Sequence, residues 1–163
     1  SNGIVFRLAT VFGTSSRMRI DLLANDFVHK LLTDRYITLF EHKFVRNFIH
    51  IQDVSSAFEF MIENYDKHQG KIFNVGLSDT NINKKELVEK IQKQISETSV
   101  NYSDYYVDPD KRDYIVSNEK IEATGWKPQY SLDNGITELI QSYKMIVPTQ
   151  LQYRNTTPLS YKE

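Results

Sequence analysis

Two apolar spacings take turns along this chain. Ile4 to Phe12 is β-branched and apolar nearly throughout, interrupted by Arg7, a pattern that predicts a strand covered on both faces, as in a parallel sheet. Gly13-Thr14-Ser15-Ser16 closes it. From Asp21 to Leu32 the spacing lengthens, and Leu22, Leu23, Phe27 and Leu31 fall on one face of a helix. Tyr36 to Phe40 and Phe44 to Ile51 read as extended again. Asp53 is a good N-cap for a helix that carries Val54, Ala57, Phe58, Met61, Ile62 and Tyr65 on one face. Gly70 breaks that helix. Lys71 to Val75 forms the next strand, closed by Gly76.

Asn83-Lys84-Lys85-Glu86 has capping-box spacing with Asn as the cap, ahead of a helix that buries Leu87, Val88, Ile91 and Ile95. Val100 to Val107 reads as extended and rich in tyrosine, with Tyr102, Tyr105 and Tyr106 set to pack or to line a groove. Asp108 to Asp113 reads as a charged loop, Tyr114 to Val116 as a short strand and Asn118 to Ala123 as a short helix. Trp126 and Pro128 are expected to fix a turn against a last helix, capped by Ser131 and carrying Leu132, Ile136, Leu139, Ile140 and Tyr143. After Pro148 the residues are polar and aperiodic, which predicts a poorly ordered tail over 148–163. Alternating strands and helices make the class α/β.

Composition narrows the function classes. Apolar residues are 40% of the 163, enough for one packed domain. Basic and acidic residues nearly cancel, at a net charge of -1, and are interspersed, which argues against a nucleic-acid partner. Cysteine is absent, so thiolate chemistry is excluded and a cytoplasmic location is expected. No apolar run approaches the ~20 residues of a membrane span. The four histidines are scattered, without metal-site spacing. The first residue is Ser1, so the start is expected after processing, after a tag, or inside a longer gene product.

Three segments carry a resemblance. They are Arg7-Leu8-Ala9-Thr10-Val11-Phe12-Gly13 followed by Ser15-Ser16-Arg17-Met18-Arg19, then Arg46-Asn47-Phe48-Ile49-His50-Ile51-Gln52-Asp53-Val54, and finally Asp110-Lys111-Arg112-Asp113-Tyr114 running to Gly125-Trp126-Lys127-Pro128. Phe73-Asn74-Val75-Gly76 lies between the second and third. In this order and spacing the chain resembles the extended short-chain dehydrogenase/reductase family, the NAD-dependent sugar-nucleotide epimerases and dehydratases. The resemblance implies that residues 1–147 are the last part of a Rossmann-type parallel sheet together with the small substrate-binding lobe.

It also implies roles. Arg46 is the foremost candidate for gripping the diphosphate of a nucleotide sugar, and a planar guanidinium suits two phosphate oxygens at any physiological pH. Thr10 stands at the carboxyl end of the first strand, where relatives often have an Asn that touches substrate, and Ala9 and Thr10 together mark the cofactor side. Arg17 and Arg19 enter a helix N-terminus where an anion can sit. Arg112 matches another nucleotide-contacting arginine, although the usual Arg-Pro-Gly of that loop is here Val107-Asp108-Pro109. Leu39 and Phe40 match residues that flank the base. His50 and Asp53 read as structural, the second as a helix cap.

Two things the chemistry needs are missing. The six glycines never come closer than the six positions between Gly70 and Gly76, so no glycine-rich turn for a dinucleotide exists. None of the ten tyrosines has a lysine four residues on, which is the acid–base pair that the resemblance implies. The expectation is therefore a chain that is inactive alone and needs an N-terminal Rossmann half with NAD or NADP. Epimerisation of a nucleotide-linked hexose is the first choice for the full-length protein and dehydration the second, with a homodimer as relatives often form. The alternatives are a non-catalytic sugar-nucleotide-binding module and a reductase of a non-nucleotide substrate.

Overall fold

A computed structural model describes residues 2–103 and 112–145. The expectations for Tyr105, Tyr106, the Asp108–Lys111 loop and the polar tail fall outside the described residues.

The first apolar run is two strands rather than one. β1 (Val5–Leu8) pairs in parallel with β6 (Ile72–Val75), and β2 (Thr10–Phe12) pairs in parallel with β5 (Phe48–His50). The hand-over falls on one peptide bond, where the Ala9 amide donates to Val75 O at 2.9 Å and the Thr10 amide donates to Asn47 O at 2.9 Å. Among the described residues β1 pairs only with β6, and Val5 is 49% and Leu8 44% exposed. An apolar run reports that a strand can be buried, and only its neighbours decide whether it is.

After Gly13 the chain turns into α1 (Leu23–Thr33), which buries Ala24, Phe27, Val28 and Leu31. β3 (Tyr36–Phe40) lies parallel to β8 (Ser99–Ser103), and the two-residue β4 (Val45–Arg46) runs antiparallel to β7 (Ile82–Asn83). The apolar stripe of α2 (Ile51–Glu63) is wider than the surface it covers. Val54, Ala57 and Met61 are buried, whereas Phe58 and Ile62 stand exposed, Ile62 at 73%. Phe58, Ile62 and Tyr65, at the start of the short α3 (Tyr65–His68), meet Ile4 and Phe6 around an apolar hollow of about 170 Å³.

Local signals hold where they are self-contained. Asn83 and Glu86 complete the reciprocal capping box of α4 (Lys84–Gln92), with bonds of 2.9 and 2.8 Å. Ser131 Oγ accepts from the Asn134 amide at 3.1 Å, at the start of α6 (Leu132–Met145). Asp53, by contrast, does not cap α2. His50 does, its Nδ1 accepting from the Gln52 amide at 3.4 Å. The buried Asp53 carboxylate instead accepts from the Gln129 and Tyr130 amides at 2.7 and 3.1 Å. The buried Trp126 also docks on α2, donating to Ser56 Oγ at 3.1 Å. Tyr114 to Val116 forms no strand ladder, and ahead of α5 (Glu119–Glu122) it is held by side-chain amides. No described helix is long and apolar enough to cross a membrane.

Candidate functional site

The hand-over from β1 to β2 opens a hollow. A cavity of about 640 Å³ is lined by Leu8, Ala9, Thr10 and Val11 from that junction, and by the Arg19–Leu23 turn without Ile20. Asp26 of α1, Arg46 of β4, and Arg112 and Tyr114 complete it. Its size falls in the ~300–1,000 Å³ range of small-molecule sites. Three arginines face two aspartates, so the lining carries a net positive charge. Two loops and one strand contribute an arginine each, which is why sequence distance conceals the cluster.

Arg46 is the largest fully buried side chain, at 2% exposure. β4 places it opposite Ile82, and it donates through Nη1 to Val45 O at 3.0 Å. Its guanidinium carbon lies 5.6 Å from the centre of the Tyr114 ring. This is within the reach of a cation–π contact. A cation so withdrawn from water keeps most of its electrostatic reach, because little solvent screens it.

Arg19 is bound differently. Nε and Nη2 grip the Asp21 carboxylate side-on at 2.6 and 2.7 Å. That hydrogen bond is the chief reason the guanidinium is raised above its ordinary pKa, with the charge of Asp21 acting in the same direction and burial acting against both. Asp26 is likewise engaged, by Lys30 Nζ at 2.7 Å. Both cavity carboxylates are thus paired with cations.

Of the residues singled out from the sequence, Ala9, Thr10, Arg19, Arg46 and Arg112 come together here. Arg17, Leu39 and Phe40 do not line the cavity. Arg17 is exposed on the loop, where its carbonyl accepts from Ser15 Oγ at 2.8 Å. Leu39 is core at 1% exposure, and the Phe40 carbonyl accepts from Lys84 Nζ at 3.1 Å. Asp21, Asp26 and Tyr114 are cavity residues that the sequence reading missed. The signal for Asp21 was its place two residues after Arg19. Asp26 shows only as an acidic residue in the first turn of α1.

Two further polar groups sit behind the cavity. Asn25, buried in α1, receives the Gly13 amide on Oδ1 at 3.2 Å and returns Nδ2 to Gly13 O and Arg19 O at 3.3 and 2.9 Å. His50 is stacked on Tyr130 at 4.3 Å, with Nε2 3.3 Å from Glu138 Oε2 but out of hydrogen-bond alignment. Both fit structural roles. Asn25 thus occupies the Gly13 amide at the end of β2.

Residues 1–76, which include β1, β2 and Arg46, match the profile of the NAD dependent epimerase/dehydratase family. Over these residues the chain belongs to this family, within the extended short-chain dehydrogenases/reductases. Among curated relatives, an uncharacterized protein of Schizosaccharomyces pombe is 30% identical over 73% of the chain and 38% of its own length. The dTDP-D-glucose 4,6-dehydratase of Mus musculus is 32% identical over 61% of the chain and 29% of its own length. Among solved structures, UDP-glucose 4-epimerase of Thermotoga maritima with UDP-glucose superposes at a TM-score of 0.73, with 20% identity, over 87% of this chain and 46% of that one. The fold is therefore that of the late Rossmann sheet and adjoining lobe, and the chain spans less than half the length of these relatives.

Proposed function

We propose that this epimerase/dehydratase chain supplies the nucleotide-diphosphate grip of an enzyme that modifies a nucleotide-linked hexose by transient oxidation at a ring carbon. The observation that carries the reading is the convergence of Arg19, Arg46 and Arg112 on one cavity at the end of β1. A diphosphate is a compact anion with several acceptor oxygens, and guanidinium forks match it in charge and geometry. Thr10, half-buried beside the arginines, offers a hydroxyl that both donates and accepts. Held at its diphosphate, a substrate loses the freedom that otherwise opposes reaction, which is catalysis by positioning.

The hydride chemistry belongs, in this reading, to NAD held by residues outside these 163, together with the tyrosine and lysine that the chain lacks. Relatives include both a dehydratase and an epimerase, so inversion and loss of water both stay within the proposal. A reductase of an uncharged substrate is the weaker alternative, because three arginines on one cavity wall match an anion better than a neutral ligand.

Calorimetric titration of the chain with UDP, dTDP, uridine and thymidine tests the grip. Diphosphates are expected to bind with a strong salt dependence, and the nucleosides far more weakly. Equal affinity for nucleoside and diphosphate, or no diphosphate binding at low salt, overturns it.

A further inference from the structure

Behind the arginines lies a chain of buried amides that the binding reading does not use. Asn47 follows Arg46 directly and is fully buried. Its Nδ2 donates to Leu77 O at 2.7 Å and to Asn81 Oδ1 at 3.2 Å. Asn81 in turn holds both backbone groups of Val116, accepting from its amide at 2.9 Å and donating to its carbonyl at 3.0 Å. The 112–117 segment has no strand ladder among the described residues, and these side-chain bonds help to anchor it. It is further tied by Tyr114 N to Val45 O at 3.4 Å, by Asp113 Oδ1 from Val45 N at 2.8 Å, and by Asn74 Nδ2 to Ser117 O at 3.0 Å.

Space for the chain is made by Gly76. A Cβ there would fall inside contact distance of Asn47 Oδ1, and 3.0 Å from Asn118 Oδ1. Only a hydrogen at that position lets the Asn47 amide lie between β6 and Asn81.

We infer that Asn47 and Asn81 are positioning residues, a buried amide clamp that sets how Arg46 stands against Arg112 and Tyr114. One end of the clamp is the residue next to Arg46. The other is the backbone two residues beyond Tyr114, whose ring the Arg46 guanidinium faces. Neither asparagine lines the cavity. The clamp acts on the ligand only through the arginines, and in that respect it rests on the diphosphate reading above.

The test combines exchange and binding on the 163-residue chain. In Asn81→Ala the Val116 amide loses its acceptor, and its hydrogen exchange, followed by NMR, is expected to rise at least about tenfold while far amides such as those of α4 keep their protection. UDP affinity is expected to fall about fivefold to tenfold, the scale of a lost neutral hydrogen bond made cooperative by the clamp. In the Arg112→Ala background the same change should cost less than about twofold, because its effect runs through that arginine. A merely structural residue gives no such non-additivity.

Asn47→Ala, which leaves the Asn81–Val116 bonds in place, should weaken UDP binding while Val116 stays protected. Equal costs of Asn81→Ala with and without Arg112, or unchanged Val116 exchange, overturns the clamp. If the wild type binds no UDP, the diphosphate reading falls by itself. The clamp is then decided by Val116 exchange alone, with lost protection upholding it and unchanged protection refuting it.

Discussion

Replacing Arg46 by methionine isolates the charge. Methionine keeps the unbranched stem and roughly the volume, so the buried position stays filled while the guanidinium, its Nη1 bond to Val45 O and its contact with Tyr114 are removed. A hydrogen bond to a charged group is worth about 1.5–3 kcal/mol. At about 1.4 kcal/mol per factor of ten, UDP and dTDP should bind roughly 10-fold to 150-fold more weakly. Exposure of 2% places the cation where solvent screens it least, so the upper half of that range is expected. Calorimetry at two salt concentrations, alongside thermal unfolding of both proteins, gives the answer. The salt dependence should drop with the lost charge. Arg17→Ala serves as the control, since Arg17 is exposed and off the cavity, and should stay within about twofold of wild type. A methionine variant that is folded and binds UDP within twofold of wild type would refute the assignment of Arg46 to the anion.

Three other outcomes follow from the packing. Gly76→Ala should destabilise the fold by about 1–3 kcal/mol, read as a lowered unfolding midpoint in urea, because its Cβ meets Asn47 Oδ1. Asp53→Ala should cost about 2–4 kcal/mol, since the Gln129 and Tyr130 amides lose a shared charged acceptor, and an unchanged midpoint would contradict that bonding. Burial, and secondarily the charge of Asp26, pushes the Tyr143 hydroxyl above its ordinary range. A raised folded pKa contributes stability that is present below the unfolded value near 10 and is lost as pH climbs beyond it. Melting temperatures measured from pH 8 to 11 should therefore fall, and Tyr143→Phe should flatten that fall.

What the sequence disclosed and what it hid divide along a physical line. The helices α1, α4 and α6 were legible because their apolar faces repeat within one element, and Leu87, Val88, Ile91, Leu132, Ile136 and Leu139 are buried as their spacing predicts. The capping box at Asn83 is local too. The split of the first apolar run at Ala9 was not legible, because it depends on which distant strand supplies each hydrogen-bond acceptor. Asp53 was misread for the same reason: its partners lie at Gln129 and Tyr130, far along the chain. At the site, the arginine-bearing motifs Arg46 and Arg112 and the strand end at Thr10 were visible through their resemblance to relatives. The Asp21 partner of Arg19, and the Tyr114 ring facing Arg46, needed three dimensions. Arg17, Leu39 and Phe40 show the converse, since matching a motif position did not bring them to the cavity.

The peptide link between Ala9 and Thr10 serves two masters. Ala9 is tied to β6 and Thr10 to β5, and both residues border the cavity. Anything that leans on this link braces two ladders together, beside the Leu77 amide that donates to Phe48 O at 2.9 Å. An occupied cavity would therefore slow the opening of β5 and β6 jointly.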